Sequence, residues 1–568
     1  MPPEATTSSE GEAFLTTDSV TEFTKQALFN ANQEGSEETL SLQIEDPQKS
    51  NNADDEVKVP LGKTQFSLVM LGLVLAMLMG SLDQTIVSTT LKNVVADFGH
   101  QELVPWIGSS YLLTCAPFGV LYGKLAEMFG RKGVFVGAMI IFEVGSLICG
   151  IAQSMSMLVV GRAIAGVGGG GIFSMVIIII SDIVSIRDRG KYQGMVFAVF
   201  GASSVLGPLI GGALSDHASW RWCYLINLPL GFVTIATVVA FLRFPVTEGR
   251  FWDKVMRIDF SGILFLFGAV TCFVTPLQLG GSVWSWSSPQ VIVLFILGSV
   301  LTGIFCYNET KVAEPIIPAS LFCNVSVSAV LVTALALGCH FMATMYYITL
   351  FYQVVNGDTA TSAGVKVIPL VFGFSGMSII VGFLISKFGK YRIFILMAPP
   401  ILIVSSVLIS TLDIHSSLAM KVCYLLLGGI GAGIMIQTRT IAIQASVQVH
   451  HIAQATAIAQ TCMTLGGAFG ISISGTVFNN YISGNVGNYA TLSGAIANLT
   501  AQGVSVEPTD VLALSELLAD RGWMNANGEL ISLFNCAFRV AYLSLLGYPI
   551  IIGIAALFVK EYPLPQKK

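Results

Sequence analysis

The stretch LYGKLAEMFGRKGVF, Leu121–Phe135, places a short charged segment between two long apolar ones. Four of its side chains carry a charge, and three glycines stand among them. A helix needs about 20 apolar residues to cross a bilayer, and the chain before Gly123 and after Gly133 supplies runs of that length. The stretch therefore predicts two membrane-spanning helices joined by a tight, charged turn.

The composition of the whole chain is that of a membrane protein. Of its 568 residues 54% are hydrophobic and 11% are charged, whereas soluble domains carry about 25% charged residues. The net charge is −5, and no basic region predicts nucleic-acid binding. The ten cysteines are scattered without a CxxC pair, so we expect small buried side chains rather than disulfides or a metal site. No cofactor is predicted.

Fourteen apolar segments are long enough to span a membrane. They lie near 66–90, 104–122, 134–152, 156–181, 192–214, 221–242, 259–279, 289–308, 325–352, 364–386, 393–411, 421–444, 453–481 and 534–559. With the N-terminal tail inside, the inner connections hold fifteen lysines and arginines, Arg439 among them, and the outer ones hold five. Positive charge favours the cytoplasmic side, so both termini are predicted to be cytoplasmic.

The chain divides accordingly into five parts. Residues 1–60 hold 13 acidic and 3 basic residues and few apolar ones, which is typical of a disordered segment. The predicted parts are a disordered acidic cytoplasmic tail (1–62), an N-terminal six-helix half (63–245), a linker with two extra helices (246–318), a C-terminal six-helix half (319–560) and a short cytoplasmic tail (561–568). A long outer loop, 483–530, holds the glycosylation sequon at Asn498 and a predicted amphipathic helix over 508–520.

The opening stretch has a second, degenerate copy. GKLAEMFGRK from Gly123 is echoed by GFLISKFGKY from Gly382, with glycine, leucine, phenylalanine, glycine and a basic residue at identical spacing. Both copies follow an even-numbered span. Two halves in parallel orientation, with two helices inserted between them, would explain the repeat, and parallel repeats of this kind occur in major facilitator transporters.

The first copy resembles the loop signature of the major facilitator superfamily, with Glu127 where that family has Asp. Gly123 would let two helices approach closely, and Gly130 would permit the turn. The resemblance implies a charge cluster that latches the two halves in the outward-facing state. Its members here are Gly123, Glu127, Gly130, Arg131, Lys132 and Asp182. The alternative is simple positive-inside anchoring.

Two further motifs lie in the fourth and fifth spans. LVVGRAIAGVGGGG contains Arg162, which is either a functional intramembrane charge or a snorkelling anchor. Its glycines are interpreted as helix-packing residues, since a phosphate loop would need a preceding strand. GASSVLGPLIGGAL resembles the family's antiporter signature, where proline favours a bend and glycines allow close contact. That motif comprises Gly201, Gly207, Pro208, Gly211 and Gly212.

LDQTIVSTTL and WRWCYLINLPLG resemble the fourteen-span drug:proton antiporters, and SDIVSIRDRGKYQG and FEVGSLICG resemble their fungal toxin and multidrug efflux branch. At a rise of about 1.5 Å per residue, Asp83 and Arg162 lie at similar depth and are predicted to pair. A carboxylate held between a cation and desolvation is suited to gaining and losing a proton. Glu143, a second intramembrane acid, is expected to make a structural hydrogen bond or to be an alternative proton carrier.

These observations predict an all-α, fourteen-span secondary transporter of the plasma or vacuolar membrane. We expect it to exchange amphipathic organic molecules for protons as a monomer in the lipid bilayer. A siderophore or basic amino acid carrier is the alternative. A polytopic membrane enzyme is disfavoured, because His450-His451 is the sole His pair and no acid-rich loop accompanies it.

Overall fold

The computed structural model describes residues 62–98, 103–244, 251–280, 284–312, 314–502, 509 and 511–563. Within these residues the protein is all-α, as predicted, and contains no β-strand beyond one isolated bridge between Gly280 and Trp284. The predicted acidic tail lies outside the described residues except for Gly62.

Twenty-one α-helices are described. They are α1 Lys63–Phe98, α2 Val104–Phe129, α3 Arg131–Gly150, α4 Met155–Ile183, α5 Arg189–His217, α6 Trp222–Leu225, α7 Asn227–Phe241, α8 Phe251–Met256, α9 Phe260–Leu279, α10 Pro289–Glu309, α11 Ser320–Cys323, α12 Val325–Asn356, α13 Ala360–Lys366, α14 Ile368–Phe388, α15 Arg392–Ser410, α16 Leu418–Ala445, α17 Ile452–Asn485, α18 Ala490–Ala501, α19 Val511–Asp520, α20 Met524–Ser544 and α21 Gly547–Leu557.

Every predicted span coincides with a helix or a pair of consecutive helices. Among the described residues, thirteen helical segments are long and apolar enough to cross a membrane, with α6–α7 and α20–α21 each forming one of them. The remaining predicted span is α2, which is 26 residues long and carries several polar side chains. The last span begins at Met524, ten residues before the predicted start at 534. The first turns of α20 are polar and pack on the outer loop. A prediction from apolar segments therefore places the start of this span too late.

Local sequence explains many of the helix ends. Ser154, Ser288 and Ser417 precede α4, α10 and α16, and each side chain accepts a hydrogen bond from a backbone N–H in the first turn of its helix. This is how an N-cap satisfies donors that have no partner within the helix. Gly357 ends α12 with φ of 67°, a conformation that glycine adopts without a steric penalty.

The two six-helix halves meet along two seams. In one seam α5 of the N-terminal half packs against α14 of the C-terminal half, and in the other α2 packs against α17. Of the inserted pair, α9 packs against both α2 and α17, and α10 packs on α9. Of the two extra helices, α9 is therefore the one that lies on the second seam.

The predicted internal repeat is visible in the contacts of its glycines. A Cβ on Gly123 of α2 would lie 2.8 Å from Cβ of Ala457 on α17, and one on Gly382 of α14 would lie 2.6 Å from the carbonyl carbon of Gly190 on α5. Equivalent positions of the two halves thus make equivalent contacts across the two seams. We call the end of the bundle with the turns at Gly130 and Gly389 the inner end; the opposite end is the outer end.

The outer loop contains α18 and α19. The predicted amphipathic helix corresponds to α19, which buries Val511, Leu514 and Leu518 in the cluster that also holds α20 residues. Asn498 lies on α18 with an exposed side chain.

Arg439, assigned above to an inner connection, lies instead inside α16, six residues before the helix ends at Ala445. Its side chain is 1% exposed. That assignment is wrong because α5 and α17 cover this part of α16, so protein and not water surrounds the guanidinium.

Candidate functional site

Asp83 and Arg162 form a buried ion pair in the N-terminal half. Arg162 Nη1 lies 2.5 Å from Asp83 Oδ2, and the two residues are 2% and 1% exposed. Arg162 Nε also donates to the carbonyl oxygen of Ile107 at 3.1 Å. The predicted contact is therefore present, and Arg162 is not a snorkelling anchor, because its charge is turned into the protein.

Two polar side chains extend this pair. Asn227 Nδ2 donates to Asp83 Oδ1 at 3.2 Å and to Ser146 Oγ at 3.2 Å. Asn227 begins α7, whereas Ser146 lies on α3. Asp83 thus accepts one hydrogen bond on each carboxylate oxygen, from the Arg162 cation on Oδ2 and from the Asn227 amide on Oδ1.

The glycines of α4 determine what packs against Arg162. A Cβ on Gly169 would come within 2.7 Å of Cζ of Tyr111, and one on Gly168 would come within 2.7 Å of Cα of Phe142. The Tyr111 ring can therefore pack closely against α4, and its centroid is 4.5 Å from the Arg162 guanidinium carbon. This confirms the helix-packing interpretation of the glycines. It also gives Arg162 a cation–π partner.

Glu143 lies one turn inward from Ser146 on α3. Its carboxylate packs against Gly231 of α7, where a Cβ would lie 2.4 Å or less from Oε1 and the carboxyl carbon. Both carboxylate oxygens are buried, and neither has a hydrogen-bond partner among the described residues. The expected structural hydrogen bond is therefore absent, since the facing position on α7 is a glycine with no donor side chain. Glu143 therefore lies beside the residues that bond Asp83. It is one turn of α3 away from Ser146, and the Gly231 that it packs against is one turn of α7 away from Asn227.

The proline and glycine motif of α5 joins this site to the seam. A Cβ on Gly207 would lie 2.7 Å from Cβ of Thr85, two residues after Asp83, and Thr85 Oγ1 donates to the carbonyl oxygen of Ser203 at 3.0 Å. One turn and a half inward, a Cβ on Gly201 would lie 3.2 Å from Val371 of α14. The close approach predicted for these glycines is present.

The other members of the motif lie on the outer part of α5. Pro208 stands inside the helix and is 3.6 Å from a Cβ built on Gly364. The carbonyl oxygen of Gly211 accepts a hydrogen bond from Cys223 Sγ at 3.6 Å, and Gly212 follows it in the same helix. These contacts pack the outer part of α5 against α13 and α6.

At the inner end the predicted latch residues are also brought together. Arg131 Nε lies 2.8 Å from Asp182 Oδ2, and Lys132 Nζ donates to the carbonyl oxygen of Val239 at 2.7 Å. Gly130 has φ of 88°, the left-handed region that favours glycine. Glu127 lies nearby, but its buried Oε1 has no hydrogen-bond partner among the described residues.

Direct contacts between the halves lie beside this cluster. Arg187 donates to the carbonyl oxygens of Ser386 at 2.6 Å and Lys387 at 2.8 Å, and Ser386 Oγ donates to Asp188 Oδ1 at 2.8 Å. With the glycine contacts of both seams, these bonds hold the inner ends of the halves together in this conformation.

Several of these partners were not singled out by the sequence. Asn227 stands within the quoted stretch WRWCYLINLPLG, and a polar residue inside an apolar span was the signal that could have identified it. Glu314 of the linker ion-pairs with Lys124 Nζ at 3.3 Å and with Arg257. Nothing in its local sequence predicts this, because the contact joins three separate segments.

A family profile described as the Major Facilitator Superfamily matches residues 73–471. The chain belongs to the Major Facilitator Superfamily. It is 34% identical over 431 residues to the "MFS-type efflux pump MFS1" of Arthroderma benhamiae, covering 75% of this chain and 80% of that protein. It is 33% identical over 516 residues to the "Efflux pump aflT" of Aspergillus parasiticus, covering 87% and 96%.

A bacterial relative and a solved structure extend the comparison. "Multidrug resistance protein 3" of Bacillus subtilis is 31% identical over 444 residues, covering 78% of this chain and 85% of that protein. The crystal structure of the human organic anion transporter MFSD10 has a TM-score of 0.55 at 12% identity and covers 86% of this chain and 98% of that chain, a likeness of fold. The predicted resemblance to the fungal efflux branch is confirmed. This superfamily member is a multi-pass membrane transporter and not an enzyme.

Proposed function

We propose that this superfamily member exports amphipathic small organic molecules across the plasma membrane in exchange for protons. The relatives whose names describe efflux pumps support export. The observation that carries proton exchange is the buried pair of Asp83 and Arg162, in which Asp83 is also bonded by Asn227. The charge of a carboxylate such as Asp83 is costly to keep away from water unless it is paired. The vacuolar membrane is the alternative location, and measuring where the tagged full chain resides decides between them.

A proton at Asp83 would alter this pair and, through it, the seam. Protonation removes the negative charge and weakens the bond from Arg162. Asp83 is two residues from Thr85, whose hydroxyl is bonded to the backbone of α5, and α5 packs against α14 of the other half. Proton occupancy can therefore bias the equilibrium between inward-facing and outward-facing arrangements through a continuous series of contacts.

Glu143 is the second proton carrier in this proposal. Its oxygens lack hydrogen-bond donors, and Ser146, one turn away on the same helix, is bonded to Asn227. We assign the coupling step to Asp83, because it alone of the two is ion-paired with Arg162.

The test replaces Asp83 with Asn, which keeps the shape and removes the titratable group. Rhodamine 6G export is measured from vesicles under an imposed pH gradient for wild type, Asp83→Asn and the control Asp97→Asn, whose carboxylate lies at the outer end of the same helix. We expect gradient-driven export to be lost in Asp83→Asn and kept in the control, with rhodamine binding intact in both. Wild-type export by Asp83→Asn would exclude Asp83 as the coupling site, and Glu143→Gln would be the next variant.

A further inference from the structure

Arg439 is a second fully buried arginine, and it has no carboxylate partner among the described residues. It is 1% exposed, and the paired Arg162 is 2% exposed. Its Nη2 lies 2.9 Å from the sulfur of Met463, its Nη1 lies 3.4 Å from the carbonyl oxygen of Ala459, and its Nε has no hydrogen-bond partner. A thioether and a long carbonyl contact are weak partners for a cation. Burying a charge without compensation is costly, so this guanidinium needs a reason to be there.

Arg439 lies on α16 and its two partners lie on α17, and both of these helices contact the N-terminal half. From α16, Gln437 Nε2 donates to the carbonyl oxygen of Gly190 at 2.9 Å, and Gln444 Oε1 accepts from Gln193 at 3.3 Å. From α17, Thr461 Oγ1 donates to the carbonyl oxygen of Ala116 at 3.2 Å. Separating the inner ends of the halves would break these bonds and give water and solutes access to this part of the bundle.

Aromatic side chains lie in the same buried cluster as Met463. The rings of Phe341 and Phe374 are stacked with centroids 4.8 Å apart, and Phe200 of the N-terminal half lies 6.4 Å from Phe374. Phe341, Phe374 and Met463 belong to one hydrophobic cluster, against which Phe200 packs. A flat apolar molecule can stack on such rings, and methionine adapts to irregular apolar shapes.

We propose that Arg439 binds the carboxylate of an exported aromatic acid, whose apolar body lies against Phe341 and Phe374. The carboxylate would replace Met463 and Ala459 as partners of the guanidinium and form two parallel charge-assisted hydrogen bonds. This inference rests on the proposed export function and adds the substrate class. The cytoplasmic solute would reach Arg439 when the inner ends separate and would be enclosed when they close.

The experiment compares two dyes that differ in one group. Rhodamine B has a free carboxylate, and its ethyl ester has the same ring system without that charge. Export of each is measured in vesicles for wild type, Arg439→Gln, Arg439→Lys and the control Lys421→Gln. Lys421 is a buried cation at the outer end of the same helix, and its Nζ bonds Asn356 at 3.3 Å.

In Arg439→Gln we expect the KM for rhodamine B to rise about tenfold or more, as loss of a charged hydrogen bond implies, while the KM for the ester stays within roughly twofold. Arg439→Lys restores part of the acid's affinity, and Lys421→Gln leaves the ratio of the two KM values unchanged. Equal loss of both dyes in Arg439→Gln, in protein that purifies as a monodisperse species, would assign Arg439 a structural role and overturn the inference. A wild type that does not favour the acid over the ester also overturns it, while export of the ester still supports the proposed function. Export of neither dye contradicts the proposed function itself.

Discussion

Replacing Gly123 with alanine is expected to favour the conformation in which the inner ends are apart. Gly123 of α2 faces α17 across the seam, and the added Cβ would lie 2.8 Å from Cβ of Ala457, 3.1 Å from the carbonyl oxygen of Ala453 and 3.3 Å from Cα of Gln454. Two of these three neighbours are backbone atoms, which cannot rotate away. The conflict exists only while α2 and α17 are together, so the substitution penalises the closed inner end and not the open one.

The size of the effect follows from that contact. Carbon atoms attract best at about 3.5–4.0 Å, so the helices must separate by roughly 1 Å to accept a Cβ at 2.8 Å. Inserting one methyl group into a packed interface costs about 1–3 kcal/mol. Applied to a two-state equilibrium, this changes the population ratio by about 5–150-fold. Gly382→Ala should shift it further, because its Cβ would meet the backbone of Gly190 at a closer distance.

Hydrogen–deuterium exchange of the purified full chain measures this shift. Amides in the inner turns of α2, α5, α14 and α17 should exchange faster in Gly123→Ala, by a factor comparable to the population change, since exchange reports the open fraction. Amides at the outer end should not accelerate. Gly133→Ala is the matched control, since it changes a glycine ten residues away whose Cβ would meet nothing within 4 Å.

Two results would refute the reasoning. Identical exchange in Gly123→Ala and Gly133→Ala would mean that α2 and α17 accommodate the methyl group without separating. Faster exchange at both ends of the bundle would mean that the substitution destabilises the fold as a whole and does not select between two conformations.

Three further outcomes are expected. Arg131→Ala and Asp182→Ala should each insert normally but slow export, and exchanging the two charges should recover part of the rate in the vesicle assay; normal export by both single variants would leave positive-inside anchoring as the explanation. Asn498→Gln should abolish a glycan seen as a glycosidase-sensitive mobility shift, and a shift that persists would place the glycan elsewhere. Asp97, beyond the apolar span of α1, accepts a hydrogen bond from Trp220 Nε1 at 2.8 Å that lowers its pKa. Its stabilising contribution should therefore be present above about pH 4 and lost as the pH falls through the lowered pKa, so that the Tm of Asp97→Asn falls less steeply in acid than that of wild type.

Two of the long-range contacts could be predicted from residue order alone. Asp83 and Arg162 stand on helices of known direction, so counting residues placed them at one depth. Arg131 and Asp182 both lie at the inner side, Arg131 at the start of α3 and Asp182 near the end of α4. Depth along a helix follows from the constant rise per residue. The direction in which a side chain points around the helix does not follow from the rise.

For that reason Asn227 and Ser146 were not recognised as partners of Asp83, and Glu143 was expected to have a hydrogen bond that the facing Gly231 cannot provide. The same limit applied to Arg439. A charge near the end of a hydrophobic run resembles a cytoplasmic anchor until neighbouring helices are seen to cover it.

By itself the sequence determined the membrane environment, the helical spans, the parallel repeat and the glycine positions where helices approach closely. These follow from hydropathy, from charge asymmetry and from residue spacing, which are local properties of the chain. Tertiary structure alone decided which helices meet at the two seams, and which buried polar groups, the Glu143 oxygens and Arg439 Nε among them, have no hydrogen-bond partner among the described residues. Those outcomes depend on the rotation of each helix about its axis, and in an apolar solvent that rotation is set by packing between helices and not by a contrast between wet and dry faces.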